Sequence, residues 1–255
     1  MELPAGMARH LERLRDGLLG VTDLQGLYLY GSLTTGDFSP ATSDIDVIAV
    51  PLRQPGEDML GQAQRMHLEL ASAGGAAGRL NCLYITAGAL ADSEQLHPYW
   101  YSDHFTEWQL KKMTMAELTR SGRALHGPWP PPGLAEVSVA DLQRAVRAEL
   151  DGYWRQMTAR TDIWLQEKWV DFGIITVARS AALLRDGELI TKSEAISRLA
   201  AFGVPAWLSA QVARRRAGDE VQVTDQQRLT TAAAARRIMT DGIAALTADQ
   251  PPDHR

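Results

Sequence analysis

Leu27-Tyr28-Leu29-Tyr30-Gly31-Ser32 and, beyond an eleven-residue loop over 33–43, Asp44-Ile45-Asp46-Val47-Ile48-Ala49-Val50 decide how this chain is read. The first run is apolar and β-prone up to Gly31. Glycine at that point allows a sharp turn and lets a phosphate approach without meeting a Cβ. Ser32 adds a hydroxyl and a backbone N–H that can point at phosphate oxygens. The loop holds Gly36, Ser39 and Pro40, all turn formers. The second run reads as a strand. Side chains alternate along a strand, so Asp44 and Asp46 share one side while Ile45 and Val47 face the core. Neighbouring carboxylates repel unless positive charge sits between them. Mg²⁺ favours one or two carboxylates completed by substrate phosphates. The spacing therefore predicts a phosphate turn at Gly31 and Ser32 and a magnesium site at Asp44 and Asp46.

Composition bounds the remainder. The chain has 255 residues, enough for one large or two ordinary domains, and 45% hydrophobic residues, enough for a real core. Its formal net charge of −5 argues against non-specific nucleic-acid binding and suits a cationic small-molecule acceptor. Cys82 is the single cysteine, which excludes an internal disulfide and a cysteine-based zinc cluster. It lies in an apolar run and is expected to be buried and inert. Charges interrupt every apolar run near the start, and no stretch approaches the roughly 20 residues needed to span a bilayer. The expected setting is the cytoplasm, with no membrane partner.

Punctuation along the chain predicts its organisation. Met7, Leu11, Leu14 and Leu18 recur at helical spacing. Strands are expected over 26–30, 45–50 and 80–85, with a helix over 55–72 ended by Gly74-Gly75 and another over 113–120. The stretch 91–105 reads as irregular. The proline run 128–133 reads as a linker, since proline cannot continue a helix. Beyond it every signal is helical. Ser138 and Asp141, Thr191 and Glu194, and Thr224 and Gln227 have the spacing of helix-start capping pairs. Pro205 suits a first helical turn. Strands followed by helices predict an α+β fold, a small mixed-sheet domain over 1–132, then an all-α helical bundle over 133–247 and a flexible tail over 248–255.

The first two runs resemble the signature of nucleotidyltransferases over residues 24–50. A second similarity widens this. Thr176-Val177-Ala178-Arg179-Ser180 and the segment from Leu183 to Ala195 resemble the C-terminal helical domain of the aminoglycoside adenylyltransferases, which adenylylate streptomycin and spectinomycin. Gly122-Arg123-Ala124-Leu125-His126-Gly127-Pro128 is similar to the end of that family's N-terminal domain. The resemblance implies a nucleotidyltransferase that binds ATP and magnesium and moves AMP to a hydroxyl of a small acceptor, an aminoglycoside. It assigns the metal to Asp44 and Asp46, the phosphate turn to Gly31 and Ser32, and basic phosphate contacts to Arg179 and Lys192. Lys192 falls in a helix's first turn, where the dipole adds positive potential.

Two positions depart from the family's pattern. Its general-base glutamate corresponds to Asn81, and an amide cannot accept a proton. Its antibiotic-contacting acid corresponds to Trp169, with Asp171 two residues on. Asp92, Glu94, Asp103 and Glu107 are the other acids near the third strand that can supply a base. Two further readings stay open: a nucleotidyltransferase with a non-aminoglycoside acceptor, and a non-catalytic nucleotide-binding relative. Trp100, Trp108, Trp164 and Trp169 are candidates for stacking on a base or sugar, against core packing.

Overall fold

The computed structural model describes residues 6–91 and 94–248. Asp92 and positions 249–255 of the expected tail lie outside the described residues. The chain divides into two compact units between Val137 and Ser138.

The first unit is a six-stranded mixed sheet with helices. In chain order it holds α1 (Met7–Val21), β1 (Leu24–Tyr30), α2 (Ser32–Thr35), β2 (Ile45–Pro51), α3 (Glu57–Ala71), β3 (Leu80–Tyr84), β4 (Leu96–Tyr101), β5 (His104–Gln109), α4 (Lys112–Ser121) and β6 (Arg123–His126). The strand order is β5-β4-β3-β2-β1-β6. β2 and β3 run parallel, and the other neighbours pair antiparallel. The parallel pair follows from α3, because parallel strands need a crossover long enough to return the chain.

Strand alternation divides the core in two. On one face Leu27, Leu29, Val47, Ala49, Cys82, Tyr84 and Trp100 are buried beneath Leu11, Leu14 and Leu18 of α1 and Ala63 and Leu70 of α3. On the other, Tyr28, Ile48, Val50, Leu83 and Ile85 pack with Met115 and Leu118 of α4 and with Leu134 and Val137. Asp46 and Asn81 belong by parity to this second face. The proline run also belongs to this unit, with the Trp129 ring 6.2 Å from that of Tyr28.

The hairpin β4–β5 replaces the irregular stretch expected over 91–105. Two local features hide it. Pro98 sits inside β4, where proline argues against a strand. It is tolerated because β3 registers only with Tyr99 and Trp100. The turn is Ser102-Asp103, with Ser102 at φ 61°, a conformation that glycine or asparagine normally supplies.

The second unit is helical: α5 (Val139–Glu149), a π-turn at Leu150–Trp154, α6 (Arg155–Ala159), α7 (Glu167–Asp186), α8 (Lys192–Ser197), α9 (Ala206–Ala217) and α10 (Asp225–Ala248). The expected capping residues start these helices. Ser138 accepts the Asp141 N–H at 3.1 Å. Thr191 with Glu194, and Thr224 with Gln227, exchange reciprocal bonds of 2.7–3.2 Å. Pro205 precedes α9 as its cap. Gly242 of α10 lies where a side chain would collide with Val177, so α10 approaches α7 closely. Among the described residues no helix is long and apolar enough to cross a membrane.

Candidate active site

β1 delivers the chain to Gly31, which turns it with φ 73° and ψ −145°, a combination open to glycine and costly for other residues. The Gly31 carbonyl then accepts from the N–H groups of Thr34 (3.1 Å) and Thr35 (3.2 Å) and from Thr34 Oγ1 (2.9 Å). These bonds close α2, which Ser32 leads. Thr34 Oγ1 also lies 3.3 Å from Ser121 Oγ, tying the turn to α4.

Asp46 occupies β2 in register with Tyr30 on β1 and Asn81 on β3. These three residues form a row across the sheet on one face. Asn81 Nδ2 donates to Asp46 Oδ1 at 3.1 Å. The other carboxylate oxygen lies against the Gly31 turn, since a Cβ built on Gly31 would stand 2.8 Å from Asp46 Oδ2. Gly31, Asp46 and Asn81 are therefore brought together. Asp44 lies one residue before β2 rather than within it and is half-buried, as is Asp46.

Two phenols lie close to the Asp46 carboxylate, Tyr30 within the row and Tyr99 on β4. Burial, then the charges of Asp46, Tyr99 and Glu117 among others, push Tyr30 well above the usual tyrosine range. Burial, then Asp46 and Asp44, push Tyr99 up in the same direction. Both phenols stay protonated at neutral pH, so they offer donors and no base. Tyr30, Tyr99 and Glu117 escaped sequence reasoning, because nothing in a lone tyrosine distinguishes a site wall from a core. Arg79 escaped it too. Its Nε donates to the Ser43 carbonyl at 3.0 Å and another nitrogen to that of Pro40, bracing the loop that leads into Asp44.

Among the described residues no group of three or more His, Cys, Asp or Glu side chains gathers to form a metal cage. The Asp44–Asp46 pair still fits Mg²⁺ by its donor chemistry: two hard carboxylates, with the remaining positions left to phosphates and water. His97 is buried on β4, and His104 is exposed with Asp103 3.0 Å away.

In the helical unit, Arg179 Nε donates to the Ile190 carbonyl at 2.9 Å, two residues before Lys192. The unit thus holds Arg179 close to the chain segment that carries Lys192. α8 has only six residues, and Glu194 already caps its first turn, so the dipole adds less positive potential there than the sequence implied. Asp171 is bound in a fork by Arg215, at 2.9 and 2.6 Å. Arg215, near the end of α9, is therefore engaged within the helical unit rather than solvated. Burial pushes the Asp171 carboxyl up, and Arg215 pulls it back.

Trp100 and Trp164 are buried and cannot stack on a ligand. Trp169 packs against Trp154 and Phe172. Trp108 is exposed on β5, with its ring 5.9 Å from that of Tyr99 and the Lys111 ammonium 5.7 Å from its centroid. Burial pushes the Cys82 thiol up to about 12, so it is inert as expected.

A six-stranded mixed sheet with helices, followed by an all-helical unit, defines an α+β fold class. The fold is similar to that of spectinomycin adenyltransferase AAD(9) from Enterococcus faecialis, solved with ATP and spectinomycin, at a TM-score of 0.70 and 14% identity. That similarity covers 91% of this chain and 99% of the other. No family model matches the sequence, and no curated protein matches it.

Proposed function

We propose that this chain is a nucleotidyltransferase that moves AMP from ATP to a hydroxyl of a small molecule, an aminoglycoside by resemblance. The observation that carries the reading is the contact of the Gly31 turn with the Asp46 carboxylate, on a fold shared with an adenyltransferase. Residues 1–132 are assigned the nucleotidyltransferase role and residues 133–247 the helical domain. Gly31 and Ser32 are assigned to the triphosphate, the glycine by leaving space for it and the serine by its donors. Asp44 and Asp46 would hold Mg²⁺. Bound there, the cation would neutralise charge on the phosphates and favour attack at the α-phosphorus. Arg179 and Lys192 are assigned to phosphate contacts by the resemblance alone.

A second reading, a non-aminoglycoside acceptor, draws on two features. The position matching the family's base holds Asn81, and Asp171, two residues on from its antibiotic-contacting position, is engaged by Arg215. General-base catalysis typically contributes about 10²–10⁴ in rate, so its loss alone need not abolish transfer.

Pyrophosphate release from Mg-ATP, measured with a panel of acceptors, tests both readings. Release with streptomycin or spectinomycin supports the first. Release only with other hydroxyl compounds supports the second. ATP binding with no release under any condition would mark a non-catalytic relative and overturn both.

A further inference from the structure

Asn81 stands where the resemblance puts a base, yet its geometry serves a different purpose. The residue is 6% exposed on a strand whose five residues are all buried, so its backbone is held firmly. A carboxylate only accepts hydrogen bonds, so the amide nitrogen must be the atom that meets Asp46 Oδ1. That bond restricts rotation of the Asp46 carboxylate about its terminal torsion, which is otherwise soft. With Oδ1 held from β3, Oδ2 is turned toward Gly31 at the end of β1.

We propose that Asn81 is a positioning residue: its amide clamps the Asp46 carboxylate with Oδ2 presented at the Gly31 turn, and so sets the affinity of the Asp44–Asp46 pair for a divalent cation. The proposal rests on the reading of that pair as a magnesium site. Asn81 removes no proton from an acceptor. It acts through Asp46, as outer hydrogen bonds to metal-binding carboxylates commonly do, and loss of such a partner typically costs about 10- to 100-fold in metal affinity or activity.

Mn²⁺ titration of the nucleotide-free protein, followed by electron paramagnetic resonance, tests this. Asp46→Asn should lose the bound Mn²⁺. Asn81→Leu keeps the branching at Cγ without the donor and should weaken Mn²⁺ binding about 10- to 100-fold. Asn81→Gln keeps an amide and should recover part of the loss, which a purely structural role would not produce. Circular dichroism checks each variant's fold, and Asn81→Ala replaces the leucine variant if that one fails to fold. Wild-type Mn²⁺ affinity in a folded donor-less variant overturns the clamp while leaving the cation reading intact. Unchanged binding in Asp46→Asn overturns the cation reading itself, and the clamp with it.

Discussion

A Cβ on Gly31 would lie 2.8 Å from Oδ2 of Asp46, closer than real Cβ contacts come. The turn that ends β1 and the carboxylate on β2 are thus fitted to each other. Gly31→Ala would incur strain twice, from its φ of 73° and ψ of −145° and from displacing the Asp46 carboxylate. Backbone strain of this kind costs about 1–3 kcal/mol. The expected result is a protein that still folds with a lowered melting temperature and loses about 100-fold or more in pyrophosphate release, since misplacing reacting groups by an ångström has that scale of effect. A near-wild-type rate would show that the turn and the carboxylate do not act together.

His67 supplies a pH-dependent term to stability. It is buried, its Nε2 lies 2.6 Å from Tyr84 Oη, and its ring stacks on Trp100 at 4.8 Å. Burial pushes its pKa down to about 3. Below the unfolded value of about 6.5, the unfolded chain takes up a proton that the folded one refuses. This contribution is fully present above about pH 6.5 and is lost as pH falls from there toward 3. The loss is about 1.4 kcal/mol per pH unit, on the order of 4–5 kcal/mol across the window. Urea unfolding at pH 7.5, 6 and 5 should show this slope in the wild type and a shallower one in His67→Phe. Parallel slopes would remove His67 from the account.

The Asp171–Arg215 fork joins α7 to α9, with side-chain exposures of only 22% and 10%. Breaking a half-buried pair leaves a charge without its partner, at a cost between the roughly 1 kcal/mol of an exposed bridge and the about 3–5 kcal/mol of a fully buried one. Arg215→Ala is expected to lower urea-unfolding stability by an amount in that range. Asp171→Leu combined with Arg215→Met should restore most of it, because apolar replacement of both partners is often neutral. If Arg215→Ala costs under about 1 kcal/mol, the pair behaves as a surface bridge.

Much of this architecture was legible because it rests on local chemistry. The helix starts at Ser138, Thr191 and Thr224 were readable because each cap is completed within three residues. The two faces of β2 followed from alternation. The β4–β5 hairpin was not legible, because Pro98 and the Ser102 turn send signals opposite to the structure, and tertiary pairing overrides them. In the site, Gly31 and the two aspartates stood out as a motif. Tyr30 and Tyr99 did not, since strand register sets Tyr30 beside Asp46 and Tyr99 lies on β4, a strand whose local signals conceal it. The Arg215 fork joins residues 44 apart, a distance that no local pattern reports.

The most direct test of the central claim is pyrophosphate release from Mg-ATP by wild type and Asp46→Asn, in the presence of the acceptor panel. Acceptor-dependent release is expected from the wild type and none above background from the variant, with both proteins folded. Full release by Asp46→Asn would contradict the assignment of Asp44 and Asp46 to the metal.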